Sequence, residues 1–234
     1  MSLLNGTKIT WLGHATVLVE TVNGLNLLID PFLEHNPTYP KNFTLPGKID
    51  YILLTHGHMD HIADAVPVAQ KHGSTIVGIY ELTSYLTGKG AEKTIGMNLG
   101  GTVSLPGVDV TMVEAKHSSS MQEGGQIIYL GLAAGLVISI QNGPVLYHAG
   151  DTSVFTDMKL IRELYAPEVA MLPIGGHFTM GPKEAALAAS YLQPKLILPI
   201  HWGTFPPLKG TPEQLAALLE DGSIVARVQP GQAI

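Results

Sequence analysis

The chain has 234 residues, enough for a substantial hydrophobic core. Hydrophobic residues make up 45% of it and charged residues 14%, which excludes a disordered chain, and the net charge of −6, with no basic run, argues against strong nucleic-acid binding. It lacks cysteine, a basic-then-apolar leader and any apolar stretch of membrane-span length, so a soluble, cytoplasmic protein without a disulfide framework is expected.

Ile9 to Leu12 and Val17 to Val19 read as two short strands around a Gly13-His14-Ala15 turn. Asn23-Gly24 marks a hairpin turn into a third strand, Leu25 to Ile29, that ends at Asp30-Pro31. The Pro- and Asn-rich segment from Pro31 to Pro46 is a surface loop, whose Phe32, Tyr39 and Phe43 either wall a pocket or pack down. Asp50 to Leu54 is a strand, His61 to His72 a helix with an Ala and Val face, Thr75 to Ile79 a strand and Glu81 to Lys89 a short helix. Thr94 to Val113 alternates short strands with glycine turns, Ile127 to Ile140 supplies further strands, and Asn142-Gly143 turns into Val145 to His148. Helices follow at Thr156 to Leu164 and Pro182 to Leu192, and strands at Val169 to Pro173 and Leu196 to Ile200. Thr211 is the N-cap and Pro212 the first position of a last helix reaching Leu219. No linker breaks residues 1–234, so one domain of two face-to-face sheets with helices outside is predicted.

Chemistry concentrates in Thr55-His56-Gly57-His58-Met59-Asp60-His61, directly after an apolar strand. In an extended loop His56 and His58 project to the same side, and Asp60 and His61 follow where the chain turns. Imidazole nitrogen and carboxylate oxygen suit zinc, manganese, iron or nickel. The bland alternative is a polar loop in which histidines happen to cluster. Three later residues repeat the strand-then-ligand arrangement: His117, Asp151 and His201. Any one of them alone reads as a turn residue; together they supply enough donors for a two-metal site with a bridging carboxylate.

The ligand stretch followed in order by His117, Gly150-Asp151-Thr152 and His201 resembles the metallo-β-lactamase superfamily, with Asp30 similar to its early strand-end aspartate. Trp11-Leu12-Gly13-His14-Ala15-Thr16 and Ile174-Gly175-Gly176-His177-Phe178-Thr179-Met180-Gly181-Pro182 resemble a small bacterial and archaeal branch of metal-dependent hydrolases. That branch is similar to the ascorbate-phosphate lactonases and to N-acylphosphatidylethanolamine phospholipase D. The resemblance implies an α/β (α+β) fold, a four-layer αββα sandwich, and two divalent metal ions per chain, zinc first among those the donors admit. His56, His58 and His117 would hold one ion, Asp60, His61 and His201 the other, with Asp151 bridging and Asp60 also among the catalytic groups. It departs from the superfamily at Ser118-Ser119-Ser120, where lactamases and glyoxalases have Thr-Pro-Gly.

Outside that set, His177 is expected to contact substrate or protonate the leaving group. His14 is expected near the metals or the substrate, and Asp30 as a carboxylate that orients a ligand. His148 is a competing ligand candidate, read instead as a strand residue close by. The expected function is hydrolysis of a small-molecule ester, lactone or phosphodiester by a metal-bridging hydroxide. A nucleic-acid phosphodiesterase is the rival enzyme, and a non-catalytic metal-dependent binding module the rival from another class. Homo-oligomerisation stays open, with Leu130 to Val137 as core or interface.

Overall fold

The computed structural model describes residues 3–234. Its first half builds a six-stranded sheet from β1 (Lys8–Trp11), β2 (Val17–Glu20), β3 (Asn26–Ile29), β4 (Tyr51–Leu53), β5 (Thr75–Ile79) and β6 (Thr94–Met97), in that spatial order. β1 to β3 form an antiparallel meander, and β3 to β6 run parallel. Parallel neighbours need crossovers. These contain α1 (Met59–Ile62) with α2 (Ala65–His72), and α3 (Tyr80–Gly88).

The second six-stranded sheet holds β7 (Thr102–Leu105), β8 (Val108–Glu114), β11 (Ala134–Ile140), β12 (Val145–His148), β13 (Val169–Pro173) and β14 (Leu196–Ile200), running spatially from β14 at one edge through β13, β12, β11 and β8 to β7. Between β8 and β11 the chain makes a separate hairpin, β9 (Ser120–Glu123) with β10 (Gln126–Tyr129). α4 (Met158–Tyr165), α5 (Pro182–Leu192) and the short α6 (Pro212–Ala216) pack on this half.

The strand period of two explains the layering. In β13, Val169 and Met171 face the core between the sheets, while Ala170 and Leu172 face α4 and α5. In β14, Leu198 and Ile200 point inward and Ile197 outward. With α2 and α3 contributing Val68, Leu82 and Leu86 to the first sheet's side, the layers are helix, sheet, sheet, helix, the expected αββα sandwich. Leu130 and Ala134 to Val137 are buried, which makes that segment core; Leu132 is exposed.

Three expectations change in detail. The helix predicted from His61 to His72 is two helices, broken at Asp64, whose carboxylate accepts the Leu33 and Glu34 N–H groups. The β9–β10 hairpin falls in a stretch with no predicted element before Ile127. The last helix has the expected Thr211 cap, with Gln214 completing a capping box, but ends at Ala216. Among the described residues no helix is long and apolar enough to cross a membrane.

Candidate metal centre

The topology brings the ligand-type residues to one edge of the sandwich. β3 and β4 are parallel, so Asp30 and His56 leave neighbouring strand ends, and the β1–β2 turn bearing His14 lies at the same end because Val17 pairs with Ile29. β8, β12, β13 and β14 likewise point their C-terminal ends one way, delivering His117, Asp151, the 174–181 loop and His201. The His201 N–H donates to the His14 carbonyl at 2.8 Å, tying the two sheets together at this edge.

Two clusters result. His56, His58, His117 and Asp151 present one ligand-type atom each within 4.8 Å of one another, and so do His14, Asp60, His61 and His201. Asp151 lies between them, with Oδ2 3.0 Å from His201 Nε2 and 3.6 Å from His117 Nε2, and Oδ1 3.4 Å from His61 Nε2. His56 Nε2 and His58 Nδ1 are 3.0 Å apart. A tetrahedral ion with bonds near 2.0–2.1 Å has ligand-to-ligand edges of about 3.3 Å. The observed spacings match the edges of coordination polyhedra.

The buried polar atoms point the same way. His61 Nε2, Asp151 Oδ1 and both ring nitrogens of His201 are shielded from solvent and have no hydrogen-bond partner. Such orphaned groups are costly unless something else receives them, and a divalent cation in each cluster would use the lone pairs directed there. On this test the residues fit a pair of metal ions.

Protonation is set by burial and by neighbours. Burial holds His56 well below the usual imidazole range and also lowers His58 and His117, which keeps their nitrogens free to donate lone pairs. His61 goes the other way: burial alone would lower it, but the Asp151 and Asp30 carboxylates raise it well above the usual value. Burial would raise Asp151, yet the neighbouring His201 and His61 imidazoles hold it well below the carboxylate range.

Around the clusters runs a layer of supporting contacts. Asp30 accepts the Thr55 N–H at 2.8 Å, the Thr55 hydroxyl at 2.6 Å and His61 Nδ1 at 2.8 Å, so it fixes the ring whose other nitrogen faces Asp151. Asp30 also falls within a third grouping, with His56 and His61, but its oxygens are already engaged in these bonds. His14 does the equivalent for Asp60: its Nε2 lies 2.9 Å from Asp60 Oδ2 and its Nδ1 3.0 Å from Thr204 Oγ1. Burial lowers its pKa to about 4. Neutral His14 can donate from Nε2 to the carboxylate and accept the Thr204 hydroxyl at Nδ1. His148 is fully used elsewhere, accepting the Gly150 N–H at Nδ1 and donating from Nε2 to the Ala15 carbonyl, so it is a strand residue beside the site and offers no free nitrogen.

The ligand loop is also braced by packing. A Cβ on Gly57 would sit 2.6 Å from Leu130 Cδ1, so only glycine lets the loop lie against that side chain. The Gly57 N–H donates to Ser119 Oγ, and Ser118 Oγ approaches His58 Nε2 at 3.2 Å, which gives the serine run a structural part in the loop. Three residues of the site, His14, Asp30 and His201, have positive φ between 46° and 54°, a conformation side chains rarely adopt.

A cavity of about 270 Å³ opens onto the clusters, walled by His58, Asp60, His117, Asp151, His201, Ser118 and Phe178. His177 is not among its walls and joins neither cluster; it is exposed, with its ring edge-on to Phe178 at 4.4 Å. At the cavity wall stands Phe178, the next residue along. Gly176 and His177 both adopt left-handed backbone, and this reversal brings Phe178 to the rim in place of the histidine. Phe178 and the His14 partner Thr204 were not singled out by sequence, since neither is a ligand type or part of a spacing pattern. Phe32 packs down, 4% exposed and edge-on to His14, whereas Tyr39 and Phe43 line a separate cavity of about 550 Å³ between the 31–46 loop and α2.

Comparison with known proteins identifies the family. Residues 18–202 match the profile of the β-lactamase superfamily domain. A UPF0173 metal-dependent hydrolase of Koribacter versatilis is 48% identical, the match covering 98% of each chain, and one of Methanopyrus kandleri is also 48% identical, covering 97% of this chain and 98% of its own. Among solved structures, Igni18, a metallo hydrolase of the hyperthermophilic archaeon Ignicoccus hospitalis, superposes with a TM-score of 0.86 at 37% identity over 97% of each chain. Full-length identity at this level, on top of the shared sandwich, means that the chain belongs to the metallo-β-lactamase superfamily as one of its UPF0173 metal-dependent hydrolases.

Proposed function

We propose that the protein is a two-metal hydrolase of small esters, lactones or phosphodiesters, with His56, His58 and His117 holding one ion, Asp60, His61 and His201 the other, and Asp151 shared. The observation that carries this reading is the buried Asp151 carboxylate set between two imidazole clusters, with its own Oδ1, His61 Nε2 and the His201 ring nitrogens left without a hydrogen-bond partner. Divalent cations held by these residues would supply Lewis acidity toward the scissile group and would lower the pKa of a bound water.

The chain's own residues do the rest. Asp30 and His14 keep His61 and Asp60 in fixed rotamers, so the geometry is set before substrate arrives. His14 engages Asp60 Oδ2, and Asp60 also walls the cavity, placed to take a proton from the adding water. Hydrolysis forms a bond from the water oxygen to the acyl carbon or phosphorus and breaks the bond to the leaving oxygen. The proton released on addition passes through the Asp60 carboxylate to that leaving oxygen. His177, outside the cavity wall, is given no step.

Metal analysis of protein purified without chelator tests the centre: close to two divalent ions per chain are expected, and one or none overturns it. Esters, lactones and phosphodiesters assayed with zinc and with manganese then test the chemistry. Metal-loaded protein that cleaves none of them overturns the hydrolase reading.

A further inference from the structure

The metal-side cavity has an unusual division of labour. Its walls contain five expected ligands and two other side chains, the Ser118 hydroxyl and the Phe178 ring. Whatever part of a substrate extends beyond the scissile group therefore meets a hydroxyl and a phenyl ring. Among the described residues no lysine or arginine is in these walls. The cation nearest in sequence, Lys116 beside His117, is committed elsewhere: its Nζ sits over the Phe155 ring at 5.6 Å and 4.0 Å from Glu114.

Phe178 is held at this rim. The Phe178 N–H donates to the Gly176 carbonyl at 2.7 Å, and the Gly176 N–H to the Met180 carbonyl at 2.9 Å. Met180, itself 2% exposed, donates its N–H to the carbonyl of Thr152, the neighbour of Asp151. The left-handed pair Gly176 and His177 thus closes a tight turn anchored to the strand end that carries the shared carboxylate. Yet the Phe178 side chain at its tip remains 57% exposed. A large apolar side chain fixed beside a cluster of polar ligands, and left uncovered, is a contact surface awaiting an apolar group.

We propose that Phe178 is the specificity-determining contact of the centre, and that the substrate it selects carries an uncharged aryl or branched alkyl group next to the scissile bond. This rests on the hydrolase reading above. An anionic scissile group can be neutralised at the metals, but a second anionic group finds no guanidinium or ammonium partner here. The cavity thus selects against phosphomonoesters with charged bodies, nucleotides and other polyanions. Its volume, below the usual range for drug-sized ligands, fits one ring and its reacting group.

Three hydroxamates that bind metal through the same head group separate this idea from the hydrolase reading. Isothermal titration of the zinc-loaded full chain compares acetohydroxamate, benzohydroxamate and 4-carboxybenzohydroxamate. Benzohydroxamate is expected to bind about 10-fold more tightly than acetohydroxamate, the lower end of what one apolar contact discriminates, and the para-carboxylate to cancel that gain. Phe178→Ala should abolish the phenyl preference and Phe178→Leu restore part of it, with zinc content measured in each variant as the check on folding. Equal affinities for the first two ligands, a phenyl preference that survives Phe178→Ala, or tighter binding of the carboxylated ligand overturns the proposal while leaving the hydrolase reading intact. Binding of none of the three to zinc-loaded protein overturns both.

Discussion

At the scale of single residues, the proposed centre rests on groups outside the proposed ligand set. Asp30 is the sharpest case, because three donors converge on one buried carboxylate: the Thr55 N–H, the Thr55 hydroxyl and His61 Nδ1. Asp30→Asn keeps the volume but replaces one acceptor oxygen with an amide that donates, so at least one of those donors loses its partner. His61 then loses the group that fixes its ring. A loss of about 10–100-fold in metal affinity is expected, the usual effect of removing such a support. Competition with a chromogenic chelator measures it; unchanged affinity would mean that packing alone holds His61. Thr55 could not be found by ligand type, since it acts only through Asp30 and His56. The direct ligand candidates were legible because histidine and aspartate at strand ends are rare enough to stand out, while their supports are ordinary residues in ordinary loops.

At the scale of elements, legibility follows how local the signal is. Asn23-Gly24, the Thr211 cap with Pro212, and the apolar runs of β5, β13 and β14 all encode their structure within a few residues, and the fold places them as the sequence predicts. The break at Asp64 and the hairpin of β9 and β10 depend on partners far away in the chain. Asp64 ends the first helix by serving the backbone of Leu33 and Glu34, and the hairpin rests Met121 and Ile128 against the core while Ile127 and Tyr129 stay exposed. His148 joins elements in the same long-range way, linking β12 to the turn between β1 and β2 through the Ala15 carbonyl. Its burial lowers its pKa from the ordinary 6.5. Below about pH 6.5 the unfolded chain therefore binds a proton that the folded chain refuses, and this residue's contribution to stability falls as pH drops. Urea unfolding of wild type and His148→Gln from pH 8 to 5 should show the wild-type advantage shrinking on acidification. A constant difference across that range would assign the role of His148 to shape alone.

On the scale of the whole molecule, the question is whether the metals hold the sandwich together or only sit on it. The core between the sheets joins β2, β3, β4 and β5 on one side to β8, β11, β13 and β14 on the other, and a second cluster seals the outer face under α4, α5 and α6. None of that burial involves a ligand-type atom, so hydrophobic stabilisation persists without metal. The edge differs, because there burial holds His56 and His58 neutral and leaves Asp151 Oδ1 and His201 Nε2 without partners. Each ion that binds only the folded state adds about 4 kcal/mol when free metal exceeds its dissociation constant a thousandfold. For a chain of this size the two proposed ions together correspond to a rise of about 16–32 °C in Tm. The chelator-stripped chain should thus keep its far- and near-ultraviolet circular dichroism at room temperature, melt lower by roughly that amount, and recover on adding zinc. Collapse of the near-ultraviolet signal on chelation would instead make the metal centre part of the fold, because fixed packing would then fail although every core side chain is still present.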